Sequence, residues 1–177
     1  RGVRVVALLH NAFTVDPALR ALVQAADCSI VHIPENRLEL IANGAQPEKI
    51  SLIELGVERV VAPDPARARR QLGIPADQKL VVSFGFVQQH KGLDEIIDAV
   101  HKVRARGTNA HLYLVGGVNS EDPTSVEYLR ALKQLVQQAG LQSCIHFIDG
   151  YVPEEQVTGY LTAADAVVLN YRSQHYE

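Results

Sequence analysis

The stretch Leu80-Val81-Val82-Ser83-Phe84-Gly85-Phe86-Val87-Gln88-Gln89-His90-Lys91-Gly92 decides the architecture of this chain. Leu80–Val87 is apolar and β-branched without a clean alternation, the pattern of a strand buried on both faces of a parallel sheet. In Leu93–Arg106 the period changes, and Leu93, Ile96, Ile97, Val100 and Val103 fall on one helical face. Asp94 and Glu95 stand in the first turn, Lys102, Arg104 and Arg106 in the last, and Gly107 marks the stop. Side-chain charge therefore agrees with the helix macrodipole. A buried strand feeding an amphipathic helix through a glycine-bearing turn is half of a βαβ unit.

Outward from this unit the same alternation recurs. Strand-like runs cover Val3–His10, Ser29–Ile33, Ile50–Leu55, His111–Gly116, Ile145–Ile148 and Ala166–Tyr171. Asp16-Pro17 supplies a cap and a first-turn proline for a helix over Ala18–Ala26. Thr124 and Glu127 have the spacing of a capping box before Val126, Leu129, Leu132, Val136 and Ala139, with Gly140 as terminator. Pro153 opens a further helix with Glu154 and Glu155 at its positive end. The pattern predicts an α/β fold of doubly wound parallel sheets.

The alternation breaks once, between Gly56 and Gln78, where Pro63, Pro65, Pro75 and the basic run Arg67–Arg70 predict an interdomain linker with one short helical turn. The arginines read there as a solvated face. The chain thus divides into 1–58, a linker 59–78, and 79–177. Both outer segments fall short of the roughly 100–150 residues usual for one domain, so they read as partial domains of a longer protein.

Composition narrows the function. The 177 residues are 47% hydrophobic and 21% charged with a net charge of −3, the balance of a globular protein without the basic field that nucleic acid requires. No apolar run approaches the roughly 20 residues of a membrane span. Arg1-Gly2-Val3-Arg4 leads into a β-type run without a small-residue cleavage site, which argues against a signal peptide. Cys28 and Cys144 are isolated in apolar segments and read as buried free thiols of a cytoplasmic chain. No CxxC pair or His/Cys cluster suggests a metal, and no Ser-His-Asp set has a nucleophile elbow. His32, His101, His111 and His146 lack ligand spacing and read as structural; Asp165 reads as a turn and capping residue.

Chemistry concentrates at Gly85–Gly92. Gly85 allows a ligand or a neighbouring backbone to come close, and Gly92 frees the helix entry. Unpaired N–H groups and the helix dipole attract an anion there, and Lys91 adds a point charge. A charge-assisted hydrogen bond contributes roughly 1.5–3 kcal/mol and a helix terminus roughly 0.3–2, enough to hold a phosphate but not to bind it tightly alone. The spacing is neither a Walker A loop nor GxGxxG.

The order of segments resembles glycosyltransferase family 4, the "group 1" family of retaining enzymes with the GT-B fold. The matching segments are Leu8-Leu9-His10, Ala26–Val31 and Gly44–Val57, followed by Phe84–Ala99, Leu112–Gly116, Ile145–Tyr160, Ala164–Leu169 and Tyr176-Glu177. The resemblance implies a sugar transferase that uses a nucleoside-diphosphate-sugar as substrate, with retention at the anomeric carbon and with neither metal nor cofactor. It assigns Lys91 to the donor diphosphate and His10 to the transferred sugar. Gly116-Gly117 and Tyr151-Val152 fall in the loops around the base. Glu177 corresponds to the first glutamate of an E-x7-E motif, which contacts the sugar, and the second glutamate lies beyond the chain. Gly85, Phe86, His90 and Gly92 complete the donor loop.

Phe86 stands where the family usually has arginine, and Arg172 is the candidate replacement cation; Asn170 replaces a usual proline. The implied partners are a nucleotide-sugar donor and a carbohydrate or lipid-linked acceptor, compatible with peripheral membrane association of the full-length protein. Two other readings stay open: a nucleotide-sugar epimerase of the same fold, and a nucleotide-sugar-binding protein without catalysis.

Overall fold

The structure, a computed structural model, describes residues 2–10, 16–57, 63–118 and 120–172. Contacts divide the chain into two units, Arg1–Arg59 and Val60–Glu177. In the first, β1 (Val6–Leu9), α1 (Pro17–Ala25), β2 (Cys28–Val31), α2 (Pro34–Ala42) and β3 (Ile50–Leu52) form a parallel sheet of order β1-β2-β3 with its helices. Its core joins Ala7 and Leu9 of β1 to Val23, Val31, Leu40 and Ile50.

The second unit comprises α3 (Pro65–Leu72), β4 (Lys79–Phe84), α4 (Leu93–Ala105), β5 (Ala110–Val115), α5 (Pro123–Gln138), β6 (Ile145–Ile148), α6 (Glu154–Ala163) and β7 (Ala166–Val167). Its strands are all parallel, in the order β6-β5-β4-β7. Successive residues of a strand point to opposite faces, and both faces are covered. Leu112, Leu114 and Ile145 pack with α4 and α5 through Ile97, Val100, Leu129 and Leu132. Leu80, Val82 and Val115 pack instead with Ala68 of α3 and Tyr160 and Ala163 of α6. Burial on both sides explains why the strands read as continuous apolar runs. The fold is the doubly wound α/β arrangement that the sequence predicts.

Several local expectations need correction. The strands are shorter than their apolar runs: β7 pairs with β4 only at Val81↔Ala166 and Val82↔Val167. Helix α2 was not predicted, because Ile33 at its N-cap gives no side-chain cap and its exposed Leu38 blurs the apolar stripe around Leu40. The cap of α5 is Asp122, not Thr124: its carboxylate accepts from the Thr124 amide and hydroxyl and from the Ser125 hydroxyl, with Pro123 first in the helix. Cys144 is buried, but Cys28 is only half-buried.

The largest correction concerns the stretch 59–78. Helix α3 spans eight residues within it and packs on α6 through the buried Ala68, so much of this stretch belongs to the second unit. Arg69 is not a solvated residue, since its side chain is 14% exposed. Its Nε donates to the Ala163 carbonyl (3.0 Å), Nη1 to Gln78 O (2.8 Å), and Nη2 to Asp165 Oδ2 (2.5 Å). Asp165 also accepts from the Leu80 amide (2.7 Å) and from Lys79 Nζ (3.2 Å). This pair ties α3 to the start of β4 and to the turn between α6 and β7. The residue read as a turn former is therefore also an electrostatic tie.

Partial burial raises the Asp165 carboxyl pKa, but the Leu80, Lys79 and Arg69 hydrogen bonds outweigh it and hold the group below its ordinary value. A carboxyl depressed on folding stabilises the protein above its unfolded pKa near 4, and that contribution disappears as pH falls through the folded value. Asp165→Ala, which leaves the mostly buried Arg69 guanidinium without its carboxylate, is expected to cost about 1–3 kcal/mol in urea unfolding at pH 7. The difference from the unaltered protein should shrink toward pH 3; an equal loss at both pH values would show that the tie contributes no electrostatic stability.

Candidate functional site

Beyond the carboxyl ends of β4, β5 and β6 the backbone continues in glycine loops that pack against each other. The Gly85 amide donates to Val115 O (2.9 Å), Gly116 to Ile148 O (3.0 Å), and Val87 to Gly117 O (3.1 Å). Gly116 has φ +133°, and a Cβ there would stand 2.5 Å from the Gly85 oxygen; a Cβ on Gly117 would stand 3.0 Å from the Gly150 nitrogen. The glycines allow three loops to share one small area at the sheet edge where ligands of open α/β sheets collect.

Lys91 lies directly above this seam. It ends a 3-10 turn, Gln89–Lys91, and Gly92 (φ +54°) converts that turn into the N-terminus of α4. The amine is 3.4 Å from the Phe84 carbonyl and 5.6 Å from the centre of the Tyr171 ring. It occupies the volume that a side chain on Gly85 (φ +112°) would fill. Burial lowers the Lys91 pKa from its ordinary value. His90 stacks on Tyr171 with ring centres 5.8 Å apart, and burial followed by the neighbouring Lys91 charge lowers its pKa. Below Lys91, Gly92 has no side chain to cap α4, but first-turn amides are engaged: Asp94 N donates to the Tyr128 hydroxyl (3.3 Å) and Glu95 N to Gly92 O (3.1 Å), which leaves the positive end of the helix dipole as the attraction for an anion.

The other residues of the expected donor loop divide. Phe86 is 63% exposed and Tyr151 92%, so both present open aromatic surface next to the glycine seam, whereas Val152 packs against the α3/α6 core. Arg172 lies beside this loop, but its guanidinium is engaged with carboxylates. Its Nη2 meets Asp94 Oδ2 at 2.5 Å, Nε meets Glu95 Oε1 at 2.9 Å, and Nη1 donates to Gln89 O at 3.4 Å. The backbone amide of Arg172 donates to His90 O (2.7 Å). Asn170 adds a bond to Glu95 Oε2 (2.7 Å), and the Tyr128 hydroxyl donates to Asp94 Oδ1 (2.6 Å). Burial raises the Asp94 pKa, yet the Tyr128 and Arg172 bonds leave it lowered. Tyr128, buried against this carboxylate, is pushed up to about 12.

This network of Asp94, Glu95, Tyr128, Asn170 and Arg172 escapes sequence reasoning. Its side-chain bonds join residues 34 to 78 positions apart, and the local signal is two acids at a helix start.

In the first unit His10 is exposed at the end of β1 and stacks on His32, with ring centres 5.1 Å apart. His32 Nδ1 is 2.8 Å from the Ile53 carbonyl, which can only accept, so this nitrogen carries the proton. His111 and His146 also have a structural partnership, 3.2 Å apart across β5 and β6. Among the described residues no group of three or more His, Cys, Asp or Glu side chains could hold a metal. No helix there is long and apolar enough to cross a membrane. Tyr176 and Glu177 lie outside the described residues.

Comparison with known proteins agrees with this arrangement. The sequence profile of the family described as Glycosyl transferases group 1 matches residues 64–177. D-inositol 3-phosphate glycosyltransferases of Corynebacterium diphtheriae and Corynebacterium efficiens are 30% and 31% identical over 156 residues, 84% of this chain and 35% and 36% of theirs. The chain thus spans about a third of the length of these relatives. Among solved structures, Anabaena Alr3699/HepE in complex with UDP and glucose has a TM-score of 0.73 at 19% identity, covering 97% of this chain and 47% of its own. Sucrose-phosphate synthase of Thermosynechococcus elongatus has a TM-score of 0.75 at 24% identity, covering 97% and 45%. With two parallel-sheet units of the GT-B kind and a family profile matching Asp64 through the glycine seam to the end of the chain, this chain belongs to the group 1 glycosyl transferases.

Proposed function

We propose that the full-length protein transfers a sugar from a nucleoside-diphosphate-sugar to an acceptor, and that the second unit holds the donor at the seam of Gly85, Gly92, Gly116 and Gly117. One observation carries this reading: the Lys91 amine stands over Gly85 at the carboxyl edge of the sheet, directly before the positive end of α4. Family membership and the complexes of the Anabaena neighbour with UDP support a nucleotide-sugar donor.

The chemistry follows from charge development. When the bond between the anomeric carbon and the diphosphate breaks, negative charge accumulates on the departing phosphate oxygen. A pre-positioned cation and the positive end of a helix dipole stabilise that charge more than they stabilise the intact donor. Lys91 is suited to this role because its partial burial places the charge in a weakly screened setting. Tyr151 offers an open ring for the base, and Phe86 an apolar surface where the family usually places a second cation. In this reading His10 and Glu177 serve the transferred sugar, the reaction retains configuration, and the Lys91 cation does the work that a divalent metal does elsewhere. Location in the cytoplasm and a carbohydrate or lipid-linked acceptor complete the proposal.

Lys91→Ala in the full-length protein is expected to lower kcat/KM for the nucleotide-sugar by about 10²–10³, with much of the loss in kcat. A variant with unaltered kinetics for the best donor of a UDP- and GDP-sugar panel would remove the site from this reading. Chelation by EDTA should leave turnover intact, and activity that disappears and returns with added Mg²⁺ or Mn²⁺ would contradict catalysis by side-chain cations alone.

A further inference from the structure

Asp94 and Glu95 pose an electrostatic problem. They suit the positive end of α4, but that end is also where a donor diphosphate would arrive. Two carboxylates in the first helical turn lie within a Debye length of such an anion, roughly 8–10 Å at ordinary salt, so their repulsion is little screened. The structure places a single guanidinium on both. Arg172 bonds Asp94 through Nη2 and Glu95 through Nε, while its remaining terminal nitrogen is directed at the Gln89 carbonyl. Asn170 takes the other Glu95 oxygen, and Tyr128 the other Asp94 oxygen. Each carboxylate is therefore held on both oxygens. The strap that delivers Arg172 is itself fixed by the Arg172 amide on His90 O, and Asn170 packs where a side chain on Gly92 would otherwise lie.

We infer that Arg172 is a positioning residue that masks the Asp94 and Glu95 carboxylates, so that a diphosphate can approach Lys91 and the start of α4, and that it is not itself a phosphate ligand. The inference rests on the donor-site reading above and reassigns the cation that the sequence offered as a substitute at Phe86. An arginine that contacted phosphate would need donors directed away from helix α4, whereas here Nε and both terminal nitrogens each have a partner on the helix or on the turn before it.

The two roles differ in a second-site rescue. In the full-length protein, the Kd of whichever of UDP and GDP binds more tightly is measured by calorimetry for four forms: unaltered, Arg172→Gln, Asp94→Asn/Glu95→Gln, and the triple variant. Masking predicts that Arg172→Gln weakens binding about tenfold, and that the triple variant returns to within about threefold of the unaltered protein. It also predicts that Asp94→Asn/Glu95→Gln alone binds at least as tightly as the unaltered form, so the inference stays testable if Arg172→Gln fails to fold. The amide oxygens still accept from Tyr128 and Asn170; in the triple variant the side-chain oxygen introduced by Arg172→Gln can accept from the amide NH2 groups, whereas in the double variant those groups face the Arg172 donors and the guanidinium is released. Arg172→Gln without effect, or a triple variant as weak as Arg172→Gln, would overturn the inference. Lys91→Ala serves as the separate control: if it binds both nucleotides as well as the unaltered protein, the donor-site reading itself is wrong.

Discussion

The second unit is organised by the close approach of three backbone loops at one edge of its sheet. Gly85, Gly116 and Gly117 meet there, the last against Gly150, with so little space that a Cβ on any of the three would press on a neighbouring backbone or on the Lys91 amine. This crowding has a direct electrostatic consequence. It leaves an area poor in side chains, bordered by one half-buried ammonium and the positive end of α4. A larger residue at Gly85 would displace the amine, and one at Gly116 would separate β4 from β5 just where their ladder ends. Left-handed φ values at Gly85, Gly92 and Gly116 add a backbone reason for the same residue type.

Around that seam the unit is held by two long-range polar ties, one at each end of the parallel strands. At the amino end, Arg69 and Asp165 join α3, the start of β4 and the turn before β7. At the carboxyl end, Arg172 and Asn170 join the segment after β7 to the first turn of α4. Strand β7 is short and pairs with β4 at only two positions. These ties explain how so brief a strand delivers its following residues to a defined place. Exposed ion pairs contribute little individually, but here they share partners with backbone amides and carbonyls, which fixes geometry more than it adds stability.

The fold was legible because its main signal is physical repetition. Continuous apolar runs of strand length alternate with amphipathic segments whose charges suit their dipoles, and burial on both sheet faces is what such runs require. The glycine turn that carries Lys91 was legible for a similar local reason, since Gly85, Lys91 and Gly92 lie within eight positions. What remained hidden was non-local or lacked a pattern. Helix α3 looks like a linker because Pro65 and three arginines make up half of its eight residues, and its single buried residue, Ala68, is too small to advertise a core face. The engagement of Arg172 with Asp94 and Glu95 joins residues 77 and 78 positions apart, and no spacing rule reports it.

The central claim is that the Lys91 amine, half-buried over Gly85, is the anchor for a nucleoside diphosphate. Titration of that amine in the full-length protein, by NMR of a selectively labelled lysine, tests it directly. In the free protein burial should place its pKa below the ordinary lysine value. Saturating UDP or GDP, by favouring the charged form, should raise it, and by linkage nucleotide affinity should fall as pH rises through the free-protein value. An amine that titrates identically with and without bound nucleotide would contradict the account.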